Sequence, residues 1–323
     1  MRITKRGLLG GIAAAVACPL AASSQGTGGS TRIIYPFALG GSGDAIARFI
    51  ADKLGKALNQ TTIVENKTGA DGRIGIRAVK NAAPDGATLL VTSGPSMTYM
   101  PIILDNPGYN PGFDFEPISL LGRYEFCIVA ANNTGIRSIV DLISWATANP
   151  GIATYSVPAL GSIPHVAGVA LAKKAGISLQ HVAYRGVGSA INDIISGQLP
   201  LGFTVLADVL QHHKSGTLRI IATMSRVRSS FLPDIPTLIE QGYPIEAEAW
   251  FGLWAPTKTP KSTIDAIYKV VQAALGETDA RERFMAMGLI LDVADGAKLE
   301  QMRKDMTNQW DAEIRSSGFK LEN

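Results

Sequence analysis

The sequence has 323 residues and a formal net charge of +3, and three of its cations lie among the first six residues, so the remainder is close to neutral. With 46% of residues apolar the chain can bury a sizeable core, and its length predicts two domains. There is no clustered basic stripe, which argues against nucleic acid and against an anionic membrane surface as partners.

Arg2, Lys5 and Arg6 open the chain, small apolar residues follow from Gly7 to Ala22, and Ser23 to Ser30 is polar. This pattern predicts a secretory signal peptide over residues 1–24, cleaved near Ala22 or Ser24. The apolar run is too short for a membrane span, and no later stretch approaches the length one needs. Cys18, after Ala15-Val16-Ala17, loosely resembles a lipoprotein box but lacks the bulky aliphatic residue that such a box carries, so a soluble exported protein is preferred over a lipid-anchored one. Cleavage leaves Cys127 as the only thiol, which rules out an intramolecular disulfide. Within Phe126-Cys127-Ile128-Val129 it reads as buried and inert.

In chain order, β-branched and aromatic runs alternate with helical patterns, which predicts α/β layers with mainly parallel strands. Strands are expected at Thr31 to Phe37, Thr61 to Glu65 and Thr88 to Thr92, with helices over Asp44 to Leu58 and Ile74 to Ala82. The Pro/Gly-rich segment from Tyr109 to Phe115 reads as a surface loop, and Glu116 to Leu121 and Phe126 to Ala130 as two strands. Ser138 to Ala148 is a helix, capped by Ser138 with Asp141 three residues later. Strands at Ala153 to Val157, Leu179 to Ala183 and Leu201 to Val205 each lead into a helix, and Arg219 to Thr223 is a further strand. Glu246 to Ala255 is expected to carry the chain back, before helices over Pro260 to Leu275 and Lys298 to Ser316. This plan predicts two lobes, residues 25–128 with 249–323 and residues 129–248, joined by crossings near Ile128 and Trp250.

The chemistry gathers where strands give way to helices. Phe37-Ala38-Leu39-Gly40-Gly41-Ser42-Gly43-Asp44 offers glycines for close backbone approach and the unpaired N–H groups of a helix start, an arrangement suited to an anion. Asp44 caps that helix or meets an amino or hydroxyl group of the ligand. Ser93 and Ser96 end the third strand. In the second half Gly161, Ser162 and His165, then Tyr184, Arg185, Gly186 and Ser189, then Asp208, stand at equivalent strand ends. Phe37 and Tyr184 are expected to pack on the ligand, Arg185 to grip a carboxylate or cover its loop, and His165 to donate a hydrogen bond. No His/Cys/Asp cluster has metal-ligand spacing, and His212-His213 would point to different helix faces, so neither metal nor cofactor is expected. A hydrolase built on Ser162 and His165 needs a third, orienting group and an oxyanion hole, and three residues apart on one helix start the two are poorly placed to pair as nucleophile and base. The ligand-sensing half of a transcription regulator shares the bilobal plan but needs DNA-binding helices and no export signal.

Six groups of residues occur in order: Pro36-Phe37 with Gly40-Gly41-Ser42 and Asp44; Val64-Glu65-Asn66 with Gly69-Ala70 and Gly72; Gly161-Ser162 with Pro164-His165; His181-Val182-Ala183-Tyr184-Arg185-Gly186; Pro233-Asp234-Ile235-Pro236-Thr237 with Glu240 and Gly242; and Trp250-Phe251-Gly252 with Ala255-Pro256. Together they resemble the tripartite tricarboxylate transporter solute receptors, also called Bug proteins, over essentially the whole mature chain. The resemblance implies a periplasmic binding protein of type II-like α/β fold, two Rossmann-like lobes around a cleft with two hinge crossings. It further implies a monomeric, non-enzymatic receptor that holds a di- or tricarboxylate, an aromatic acid or an acidic amino acid, in part through backbone groups and ordered water. Delivery would be to the permease subunits of a tripartite tricarboxylate transporter, or, alternatively, the receptor would feed a signalling partner. Ala38 and Ala183 stand where the family usually shows proline, and an Asn-Leu-Pro-like stretch near Val205 to Asp208 is absent.

Overall fold

The computed structural model describes residues 30–158, 162–184 and 187–317, with side chains described as far as residue 311. The predicted signal segment with Cys18, and Gly161, Arg185 and Gly186 of the expected site, lie outside the described residues.

The chain opens as β1 (Thr31–Tyr35), α1 (Ser42–Leu58), β2 (Thr62–Asn66), α2 (Arg73–Lys80) and β3 (Thr88–Ser93). β1 lies between β2 and β3, parallel to both, with Ile33 opposite Val64 on one side and Leu89 on the other. α1 buries Ile46, Ile50 and Leu54, spaced by four, which keeps one stripe on this sheet. The stretch after β3, expected as a loop, coils into α3 (Gly94–Thr98) and then α4 (Met100–Ile103). The segment from Tyr109 to Phe115 is not a surface loop. It holds the single turn α5 (Pro111–Asp114), and its end residues Tyr109 and Phe115 are buried edge to face at 6.3 Å, with the Tyr109 hydroxyl donating to the Ser96 carbonyl. Burial of two aromatics outweighs the turn chemistry of the proline and glycine between them.

β4 (Phe115–Ala130) is one 16-residue strand where two were expected. Gly122, which reads as a break, instead admits the Ile290 backbone, whose carbonyl oxygen would lie 2.8 Å from an added Cβ. There follow α6 (Ile139–Ala148), β5 (Thr154–Val157), α7 (Ile163–Ala175), β6 (Gln180–Ala183), α8 (Val187–Ile195), β7 (Leu201–Val205), α9 (Leu206–Lys214) and β8 (Arg219–Thr223). The chain closes with β9 (Glu248–Pro256), α10 (Lys261–Gly276), α11 (Thr278–Ala286), β10 (Leu289–Ile290), β11 (Ala294–Asp295) and α12 (Gly296–Ser317).

The strands hydrogen-bond in the order β2-β1-β3-β9-β4-β7-β5-β6, and β8, β10 and β11 also pair with β4. The expectation of a mainly parallel arrangement holds only for the two wings, β2-β1-β3 and β7-β5-β6. Between them β9 and β4 run antiparallel to their neighbours, because these two strands carry the chain from one wing to the other. β4 pairs with β9 up to Glu125 opposite Glu248, and with β7 from Phe126 opposite Val205 onward. The core follows this ribbon: Trp250 and Trp254 of β9 are buried with ring centroids 5.8 Å apart, and Cys127 of β4 is fully buried.

Candidate functional site

The C-terminal ends of β1, β3, β5, β6 and β7 all lead into helices, and the expected site residues sit at these junctions. At the first, Gly41 is the N-cap of α1, and no side chain caps the first-turn N–H groups. Gly40 has φ +94°, a left-handed backbone that favours glycine, and its N–H donates to the Asp44 carboxylate at 3.1 Å. Asp44 is 4% exposed and both of its oxygens are occupied. Arg48 Nε donates to Oδ2 and Asn66 Nδ2 to Oδ1, each at 2.9 Å, while Asn66 also reaches the Phe37 carbonyl. Burial alone would raise the Asp44 carboxyl, but these hydrogen bonds and the Arg48 charge hold it below the usual range. Of the two roles open to Asp44, the geometry matches fastening the loop back onto the helix.

Gly43 rests on an aromatic floor. A Cβ there would collide with the Tyr35 phenol and lie 2.6 Å from the Phe251 ring. Tyr124 stacks on Phe251 at 4.6 Å, and Phe37 meets Tyr35 edge-on at 5.6 Å. The Ser93 and Ser96 hydroxyls lie 3.2 Å apart, both buried, and Ser93 is within hydrogen-bonding reach of the Tyr124 hydroxyl. Tyr35, Tyr124 and Phe251 were missed by sequence reasoning, since aromatics in strands read as core. Their signal is position: Tyr35 is the last residue of the strand before the glycine loop, and Phe251 is paired opposite Ser93.

Asp208, in the first turn of α9, is half-buried and makes no hydrogen bond or ion pair to any described residue. Burial pushes its carboxyl up to about 6. Burial raises the Tyr35 and Tyr124 phenols and the Cys127 thiol, and the charge of Asp208 adds to each. Among the second-wing residues expected at the site, Asp208 is the one whose charge acts on the Tyr35 phenol beneath Gly43.

The other second-wing residues lie further along the sheet, at the ends of β5 and β6. Ser162 is the N-cap of α7, and its buried hydroxyl has no partner. His165 is buried, with its ring 4.2 Å from that of His181. Burial first, and His181 second, push it down to about 4, so the imidazole is neutral. This histidine pair has no local signature, because its members lie 16 positions apart on α7 and β6. Tyr184 turns its hydroxyl onto Asp193 of α8 at 2.6 Å, and burial together with that carboxylate raises the phenol to about 12. Ser189 is exposed on the first turn of α8. Between these elements a shallow concavity is lined by residues that include Ser156, Val157, Tyr184, Val187, Phe203 and Thr204. Among the described residues no group of three or more His, Cys, Asp or Glu is placed to hold a metal ion, and no helix is long and apolar enough to cross a membrane.

The chain matches the model of the tripartite tricarboxylate transporter family receptor over residues 46–319. It is similar to protein BugT of Bordetella pertussis, 31% identical over 314 residues that cover 95% of each chain. Among solved structures it is similar to the periplasmic binding protein BugD, at 31% identity and a TM-score of 0.83 over 91% of this chain and 99% of that one. It is likewise similar to R. palustris Rpa4515, solved with adipate, at 25% identity and a TM-score of 0.84 over 90% and 97% of the two chains. The fold is therefore that of these periplasmic binding proteins, two α/β wings about a shared antiparallel ribbon. The family and these neighbours are receptors and binding proteins rather than enzymes. On the family match and the relatives together, the chain belongs to the tripartite tricarboxylate transporter receptor family.

Proposed function

We propose that this protein is a periplasmic receptor that captures a small carboxylate-bearing organic anion between two closing lobes and presents it to the permease of a tripartite tricarboxylate transporter. One observation carries the reading: the uncapped start of α1 is pressed onto the Tyr35–Phe251 floor at the end of β1, in a chain similar to a receptor solved with adipate. The lobes are residues 25–128 with 249–323 and residues 129–248. They hinge at two crossings, near Ile128 and Trp250, and the passage of β4 from β9, its partner up to Glu125, to β7, its partner from Phe126, supports the first. The N-terminal 24 residues direct export and are removed.

In this reading Gly41 and Ser42 donate from the first lobe, with Gly40, Phe37, Ser93 and Ser96 beside them, and Asp44 keeps the loop in place through the Gly40 N–H. Gly161, Ser162, His165, Tyr184, Arg185, Gly186, Ser189 and Asp208 complete the site when the lobes close, a population shift that the ligand stabilises. A micromolar dissociation constant needs about 8 kcal/mol. Hydrogen bonds to a charged group contribute about 1.5–3 kcal/mol each and a helix terminus about 0.3–1 kcal/mol, so four to six donors from opposing lobes supply it without a cationic clamp. No catalysis is assigned to Ser162 and His165: three residues apart at one helix start, they are poorly placed to pair as nucleophile and base, and the His165 ring lies tilted 4.2 Å from that of His181.

A thermal-shift screen of di- and tricarboxylates, aromatic acids and acidic amino acids tests this. A ligand at a hundred times its dissociation constant adds about 2.7 kcal/mol of stability. Stabilisation by a neutral sugar or a cation, with none by any carboxylate, overturns the reading.

A further inference from the structure

We propose that Asp208 selects solutes that carry a protonated amine beside their carboxylate, so that the receptor takes amino acids in preference to plain organic acids. The inference rests on the site assigned above and names the class of ligand it takes. Asp208 is a half-buried carboxylate with no hydrogen bond or ion pair to any described residue, and its charge adds to the burial that raises the Tyr35 and Tyr124 phenols. Its place is fixed by the fold, because Val205, three residues before it, pairs with Phe126 of β4, two residues beyond Tyr124. On the other hand Gly43, in the first turn of α1, presses on the Tyr35 hydroxyl. The Tyr35 phenol therefore lies against an uncapped helix start and within the field of a carboxylate that has no partner among the described residues. A plain diacid seated on the N–H groups would bring its charge toward Asp208 in a poorly solvated setting, where like charges repel strongly. An α-ammonium carboxylate matches both neighbours at once, anion to the helix start and cation to Asp208. The Tyr124 phenol, which burial keeps protonated, and the neutral Cys127 thiol offer no competing charge for the amine.

Isothermal titration of the purified protein at about pH 7.5, above the carboxyl's shifted range, compares three matched pairs: L-aspartate with succinate, L-glutamate with glutarate, and L-phenylalanine with 3-phenylpropionate. In at least one pair the amine-bearing member should bind about tenfold or more tighter, the worth of one charge-assisted hydrogen bond. Asp208→Asn and Asp208→Ser should shrink that ratio to about threefold or less, with melting temperature confirming that both variants fold. Equal or tighter binding of the plain acids to the unaltered protein overturns the proposal and leaves carboxylate capture standing. A preference that survives in both variants also overturns it. Binding of none of the six compounds also overturns the proposal, and the wider thermal-shift screen then decides whether carboxylate capture stands.

Discussion

Gly43 of α1 lies so close to Phe251 of β9 that a Cβ built on the glycine would stand 2.6 Å from the ring, with the Tyr35 hydroxyl nearer still. The start of α1 is thus held against the sheet by the absence of a single side chain. Gly43→Ala should push the helix start off its floor, costing about 1–3 kcal/mol in urea unfolding and at least about tenfold in affinity for any bound acid. Gly41→Ala is the control. Nothing lies within 4 Å of its added Cβ, and stability should change by no more than about 0.5 kcal/mol.

Asp44 offers a second test. Its oxygens accept from Gly40, Arg48 and Asn66, and its carboxyl is held below the ordinary carboxylate range. A depressed folded value means that the stabilisation is present above the unfolded value and is lost as pH falls through the folded one. Asp44→Ala should therefore cost about 1–3 kcal/mol at neutral pH, and the gap to the unaltered protein should close under strongly acid conditions. Equal stabilities at neutral pH would mean that the loop does not depend on this fastening.

How far the sequence foretells this molecule depends on the range of the interactions involved. β7 and β8 occupy the residues that alternation predicts, and the Ser138 hydroxyl accepts from the Asp141 N–H at 3.1 Å as the capping pattern predicts. These are local features. Asp44 was legible as a capping residue, but its tie to Asn66 spans 22 positions and has no local signature. The His165–His181 pair and the Tyr35–Phe251 floor exist only once β6 and β9 are placed. α11 went unnoticed because only Ala280 and Phe284 of its nine residues are buried, too few to stand out among its charges. The antiparallel ribbon was hidden for a different reason: β4 and β9 are buried on both sides, so their apolar runs carry no mark of direction.

Cys127 is fully buried on β4 and its thiol is raised by burial first, then by Asp208 and Glu125. It should remain unreactive toward a thiol reagent in the native protein and become reactive only on unfolding, with a rate that follows denaturant concentration. Rapid modification in native buffer would show that the ribbon opens locally. Cys127→Ser places a hydroxyl in the same apolar pocket and should cost about 1–3 kcal/mol, whereas Cys127→Ala loses less.

Asp208 also leaves a trace in the stability of the ligand-free protein. Burial moves its carboxyl from an ordinary 3.8 to about 6, and Tyr35, Tyr124 and Cys127, the groups it faces, stay uncharged across that interval. A folded value above the unfolded one means that the folded state binds the extra proton. This contribution is complete below the unfolded value and is lost as pH rises through the folded one. Asp208→Asn carries no charge at any pH, so it should match the unaltered protein near pH 4 and exceed it by about 1–2 kcal/mol at about pH 7.5. Urea unfolding across that range measures the difference directly. A constant offset would mean that Asp208 is as well solvated in the folded chain as in the unfolded one. A rise confined to the interval around 6 ties the effect to this carboxylate, and saturating ligand bearing an amine should reverse it, because the ammonium then compensates the buried charge.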